Sequence, residues 1–236
     1  MNRRSICLVC LLIITIAAGC QTPEQRALEV SHNLLIAGAQ KDVRAGRLDA
    51  AIHKLRRAVN LKPEDAVARF SLGNVLARRA EEPDVSAEAL TTLVTEALEH
   101  HTAALRLVPD SAQAHYHVGR DLILLGRPAE AVGYLEAARK RDPNAPFIDA
   151  RLGDAHRLMK QYDLALEHYR AGLTKRPKPL AAMELHEGLA DTYLATGKPV
   201  DALAALQQAR KKAPTRAHLK RIEKRIEELH NKPAPG

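Results

Sequence analysis

The chain has 236 residues, a formal net charge of +8 at pH 7, 3% aromatic residues and no tryptophan. Alanine, leucine, arginine and glutamate are abundant, which favours helix, and no stretch alternates like a β-branched strand. The basic balance permits contact with anionic lipid, acidic peptide or anionic polymer.

The first element is residues 1–20, MNRRSICLVCLLIITIAAGC. Arg3 and Arg4 lead an apolar run from Ile6 to Ile16. That run is shorter than the roughly 20 apolar residues of a membrane-spanning helix and reads as a secretory signal. Its end, Ile16-Ala17-Ala18-Gly19-Cys20, resembles the bacterial lipobox. The resemblance implies a signal peptide over 1–19, cleavage before Cys20, thioether lipidation of Cys20 and acylation of the new N-terminus. Multiple acyl chains give firm membrane attachment, at about 0.8 kcal/mol per buried methylene. Gln21, rather than aspartate, after the cysteine implies the outer membrane facing the periplasm, by the sorting rule of enteric-type bacteria. Cys7 and Cys10 depart with the signal, so the mature chain has no second cysteine for a disulfide or a cysteine metal site. Loss of Arg3 and Arg4 lowers the net charge from +8 to about +6. No nucleic-acid partner is expected of an exported chain of this kind.

Residues 20–31 form the lipidated N-terminus and a lead-in helix. Beyond them a repeat emerges. Pro63, Pro109, Pro143, Pro177 and Pro214 are spaced 46, 34, 34 and 37 residues apart, that is 34 with additions of 12 and 3. Twelve residues before each stands an alanine: Ala51, Ala97, Ala131, Ala165 and Ala202. Five before stand Ala58, Ala104, Ala138, Gly172 and Ala209. Gly46, Gly126 and Gly197, with Lys160 in the fourth unit, stand seventeen before. The first helix of each unit contributes Ala39, Gly73, Gly119, Gly153 or Ala190. Small residues let two helices approach closely, glycine suits the turn between them, and proline stops the second helix. Leu55, Leu135, Tyr169 and Leu206 are the large residues expected to fill the space beside the next hairpin.

A 34-residue helix–turn–helix period resembles the tetratricopeptide repeat (TPR) family. The expected fold is all-α, a TPR-type right-handed superhelix of about five helical hairpins plus a C-terminal capping helix. The repeats fall at 32–65, 66–111, 112–145, 146–179 and 183–216. The second carries an insertion near 79–93, where Pro83 breaks the first helix and the hairpin tip is expected to protrude by two or three turns. The addition near Lys178–Leu180 reads as a linker variation. Over 215–230, Leu219, Ile222, Ile226 and Leu229 give one apolar face on a charged helix, as a cap requires. The tail 231–236 is expected to be flexible.

The resemblance also implies that first helices line a concave groove. The residues expected to bind a partner there are Phe70, Asn74, Arg78, Tyr116, His117, Arg120, Phe147, Arg151 and Arg157, with acidic Glu184, Glu187 and Asp191 at the far end. Arginine and aromatic groups suit a peptide with acidic and apolar side chains. A two-carboxylate clamp for peptide C-termini is absent, because Ile36, Gln40, Ser71, Gln113 and His117 occupy its positions. Among eleven histidines, neither His100-His101 nor His115 with His117 has the spacing of a helical metal pair. No phosphate loop, nucleophile elbow or HExxH motif occurs. The expectation is therefore a non-enzymatic, cofactor-free and metal-free lipid-anchored scaffold in the cell envelope. Such proteins resemble assembly factors of outer-membrane complexes such as the type IV pilus secretin. They also resemble adaptors of envelope enzymes such as peptidoglycan hydrolases, and accessories of exopolysaccharide export.

Overall fold

Four short helix-breaking turns recur in this chain with the same bonding, and they set the hairpins. In each, the amide after the left-handed residue reaches back five residues: Arg47 to the Asp42 carbonyl, Arg127 to Leu122, Gln161 to His156 and Lys198 to Tyr193, all at 2.8–2.9 Å. The preceding residue has positive φ: Gly46 (74°), Gly126 (70°), Lys160 (60°) and Gly197 (70°). This is the helix stop that glycine makes cheaply; Lys160 adopts it with a side chain.

The computed structural model describes residues 22–231, so the signal 1–19, Cys20 and the tail from 232 lie outside the described residues. Eleven helices occur among them: α1 (Pro23–Arg44), α2 (Leu48–Leu61), α3 (Ala66–Ala80), α4 (Ala87–Leu107), α5 (Ala112–Leu124), α6 (Pro128–Arg141), α7 (Pro146–Leu158), α8 (Tyr162–Thr174), α9 (Pro179–Ala195), α10 (Pro199–Lys212) and α11 (Arg216–His230). Consecutive pairs from α1 to α10 form five hairpins, and α11 packs on α10 at the end. The described residues are all-helical, with the superhelical stacking of hairpins that the 34-residue period implies. Side chains cap several starts: Asp65 accepts from the Val67 and Ala68 amides, Ser86 from Ala89, and Ser111 from Ala114. Prolines pre-set the first turns of α6, α7, α9 and α10.

The five repeating alanines are completely buried. Opposite them, a large second-helix side chain lies over a small first-helix residue. A Cβ added to Gly119 would stand 2.6 Å from Leu135, and one added to Gly73 would stand 2.6 Å from the His101 ring. Core density of this kind leaves no room for a methyl group. His101 thus takes, in the second hairpin, the place filled elsewhere by leucine or tyrosine.

The twelve extra residues of the second hairpin do not form a free tip. Two lengthen α3, three lengthen the connection and seven are added to the start of α4. Leu93, the last of the added residues, packs on the first core, and Val94 directly after it is fully buried. Arg79 grips Asp84 with two bonds of 2.8 and 2.9 Å and also reaches Asp49 of α2, while Arg56 of α2 holds Glu96 of α4. The expected protrusion is therefore folded back and tied to the first hairpin. The addition near Lys178 is likewise not a linker: it supplies an extra turn at the start of α9, which has 17 residues.

Candidate functional site

The first helices α1, α3, α5, α7 and α9 succeed one another along one side of the stack. On them the structure joins four of the expected groove residues into one aromatic chain. Phe70 meets His117 edge-on at 5.1 Å, His117 meets Tyr116 at 5.0 Å, and Tyr116 meets Phe147 at 4.8 Å. These are the spacings and tilts at which aromatic pairs attract. The chain crosses three hairpins. Phe147 is 37% exposed, so it offers its ring to solvent. A cleft lined by Phe70, Val67, Ala104, Val108 and Ala114 opens at one end of the chain. A second, lined by Ile36, Val43, Gln40, Ser71 and Asn74, lies between α1 and α3.

Beneath the aromatic chain is a buried polar cluster. His101 and Asp121 are both fully buried, with Nδ1 2.6 Å from a carboxylate oxygen. His101 Nε2 lies 3.2 Å from the Asn74 amide oxygen, and the His101 and His117 rings are 5.0 Å apart. This cluster interrupts the apolar core, which divides into one part within the first two hairpins and another beginning at Val118. The sequence did not single out the His101–Asp121 pair. Its one signal was a histidine at a position where other repeats carry Leu55, Leu135, Tyr169 or Leu206.

Burial, reinforced by His101 and the Arg120 charge, lowers His117 to about 3. Its ordinary value is about 6.5, so on acidification the unfolded chain takes up this proton first. The stabilisation is complete above that value and is lost as pH falls towards the folded value. We expect wild-type stability, measured by urea unfolding, to fall more between pH 7 and pH 5 than that of His117→Gln. Equal losses would show that His117 is solvated.

The arginines divide into two groups. Arg151 is neutralised within the chain: its nitrogens lie 2.6 Å from Asp154 and 2.8 Å from Glu184. Burial would lower this guanidinium, but those carboxylates, with Tyr116, outweigh it and its pKa is raised. The Arg157 pKa is raised: burial lowers it, but Tyr169 and the charges of Asp154 and Asp191 outweigh that, and its Nε is buried without a hydrogen-bond partner. Two acids of α9, Glu187 and Asp191, are taken by the cap. Arg221 holds Glu187 at 2.7 Å, and Arg225 holds both Glu187 and Asp191. The far half of the groove is thus cross-linked by its own ion pairs. In the near half, Arg78 is exposed, and among the described residues no acid pairs with it. Arg120 has Nε and Nη2 buried without a hydrogen-bond partner, and its nearest carboxylate oxygen, on Asp121, is 3.8 Å away. The expected groove residues therefore separate: Phe70, Asn74, Arg78, Tyr116, His117, Arg120 and Phe147 belong to an open half, whereas Arg151 is held by the fold and Arg157 lies in the far half.

Among the described residues no helix is long and apolar enough to cross a membrane, and no group of three or more His, Cys, Asp or Glu side chains could hold a metal ion.

Sequence profiles of the tetratricopeptide repeat match residues 36–97, 76–146 and 156–226. No curated protein matches the chain. Solved structures do. A thermophilic TPR protein of Thermus thermophilus, TTC0263, superposes with a TM-score of 0.65 at 20% identity, over 84% of this chain and 98% of that one. PilW, described as a widely conserved type IV pilus biogenesis factor, gives 0.67 at 20% identity, over 84% and 86%. YrrB, a TPR protein with an unusual peptide-binding site, gives 0.56 at 21%, over 80% and 90%. With the profiles spanning both halves of the stack and the hairpin geometry repeating from α1 to α10, the chain belongs to the tetratricopeptide-repeat family.

Proposed function

We propose that this chain is a non-enzymatic scaffold, anchored to the bacterial outer membrane through lipid on Cys20 and facing the periplasm. It holds a protein partner in its groove and assists assembly of an outer-membrane complex such as the type IV pilus secretin. Protein binding is the role TPR stacks commonly serve. The observation that carries the reading is the aromatic chain from Phe70 to Phe147 beside the unpartnered donors of Arg120. Buried donors are normally satisfied. A partner carboxylate would meet the part of the Arg120 side chain that stays exposed, 21% of it, while its apolar side chains cover Phe147 and the two clefts. The assembly role is supported by the likeness to PilW along most of both chains. The anchor reading is supported by the Ile16–Cys20 motif.

The test is affinity purification of the lipidated protein from membranes, with quantitative mass spectrometry. A channel subunit should dominate the recovered proteins. Recovery of a peptidoglycan hydrolase whose rate changes on mixing would replace the assembly role with enzyme regulation. Separately, Cys20→Ser protein is expected to leave the membrane fraction, and its persistence there would remove the anchor.

A further inference from the structure

The two ends of the stack are finished differently. At the C-terminal end, α11 buries Ile222 and packs Ile226 and Leu229 on the core, and it presents Lys220, Glu223, Lys224, Glu227 and Glu228 outward. That is the polar outer face a terminal repeat needs for solubility. At the N-terminal end, α1 buries His32, Ala39 and Asp42 against the next helices. Its opposite face carries Pro23, Ala27, Val30, Leu34, Ala37 and Lys41, all exposed, at spacings of 4, 3, 4, 3 and 4. Those spacings define one side of a helix. Leu34 is 67% exposed and Val30 is 58% exposed. Singly, such residues need no explanation, but a continuous apolar stripe on the end of a stack does.

We infer that this face of α1 lies against the lipid surface to which Cys20 is anchored, so that the stack stands on its N-terminal end. The inference rests on the anchor reading proposed above. Only Gln21 separates Cys20 from Thr22, whose hydroxyl caps α1 by accepting from the Gln25 amide at 3.2 Å. Two residues span at most about 7 Å, and a leaflet's headgroup layer is roughly 5–8 Å deep. The acylated residue therefore delivers the first turn of α1 into the headgroups, with no slack to place the helix elsewhere. Once there, the orientation is set by the stripe. Alanine, valine and leucine enter the interface in the manner of a surface-lying amphipathic helix. Lys41, at the end of the stripe and without an acid partner among the described residues, extends its ammonium to anionic headgroups. A free second copy would have to compete with a bilayer already tethered a few ångströms away.

The chain has no tryptophan, so Leu34→Trp installs a reporter without background, at a position exposed enough to accept it. Val200→Trp, at an 80% exposed site on α10, is the reference. Full-length lipidated protein is placed in phosphatidylethanolamine–phosphatidylglycerol vesicles with or without brominated acyl chains. The inference expects the tryptophan of Leu34→Trp to shift to the blue and lose most of its emission to the brominated lipid, and that of Val200→Trp to do neither. If neither is quenched while the protein floats with the vesicles, the orientation is wrong and the anchor stands. Equal quenching of both means that the stack lies along the membrane, which also overturns it. A blue shift that depends on protein density and ignores bromine assigns the face to a second copy. If the lipidated chain fails to float, the anchor reading falls and takes this inference with it.

Discussion

Tyr169→Ala is expected to cost about 3–5 kcal/mol of stability, the range for removing a large aromatic side chain from a core. Tyr169 is 1% exposed and lies between two first helices, against Gly153 of α7 and Gly188 of α9. A Cβ at Gly153 would stand 2.5 Å from its ring. Alanine would leave a void between helices that cannot close without repacking two hairpins. The hydroxyl adds a second role: it donates to Asp154 at 2.7 Å, and burial followed by the Asp154 charge raises its pKa. Tyr169→Phe keeps the ring and removes that bond, so it should cost only about 1–2 kcal/mol. Because each hairpin contacts chiefly its neighbours, the Ala variant should also divide the unfolding transition. Hydrogen exchange is expected to quicken in α8–α11 before α1–α4. A single cooperative loss of less than about 1 kcal/mol in urea unfolding would show that the ring is not the joint between the fourth and fifth hairpins.

The contrast between Tyr169 and Arg151 explains what the sequence could reveal. The alanines at Ala51, Ala97, Ala131, Ala165 and Ala202 answer a steric demand that recurs once in every hairpin, so they mark the hairpins directly. The turn residue is similarly constrained, and even Lys160 follows the glycine geometry. Charged positions carry no such mark, because an arginine on a first helix can face a partner or a neighbouring helix. Yet the repeat does hold the answer. Residues one period apart on successive first helices stand side by side, and the internal bonds have that separation: His32–Asp65 and Arg151–Glu184 at 33, Glu187–Arg221 and Asp191–Arg225 at 34. Searching for opposite charges at 33–34 residues would have assigned Arg151 with Glu184 to the fold, and Glu187 and Asp191 to the cap. It would not have found His101 with Asp121, which are 20 apart and meet across adjacent hairpins from different helix types.

That division makes the binding prediction sharper than a groove-wide one. Arg120→Glu is expected to weaken partner binding at least a hundredfold, the cost of about 2.7 kcal/mol typical of a charged anchor at the centre of an interface. The Arg120 side chain is 21% exposed with two nitrogens unpaired, and in the variant the partner's carboxylate would face a like charge. Because Arg120 also stands 3.8 Å from buried Asp121, the unfolding curve separates loss of binding from loss of fold. Phe70→Ala, at the head of the aromatic chain, should weaken binding by a factor of about ten, roughly 1.4 kcal/mol. Arg151→Ala should behave differently. It strips Asp154 and Glu184 of their counter-charge, so it lowers the melting temperature and affects binding only through the fold. The measurement is recovery of the partner from membranes with each lipidated variant, beside its thermal unfolding curve. Retained binding by Arg120→Glu at an unchanged melting temperature would remove the near half of the groove as the site. Loss of binding by Arg151→Ala at an unchanged melting temperature would move the site to the far half. If the near half is correct, reversing the partner's acid to lysine should restore binding to Arg120→Glu while leaving Phe70→Ala impaired, because only the first pair is coupled through charge.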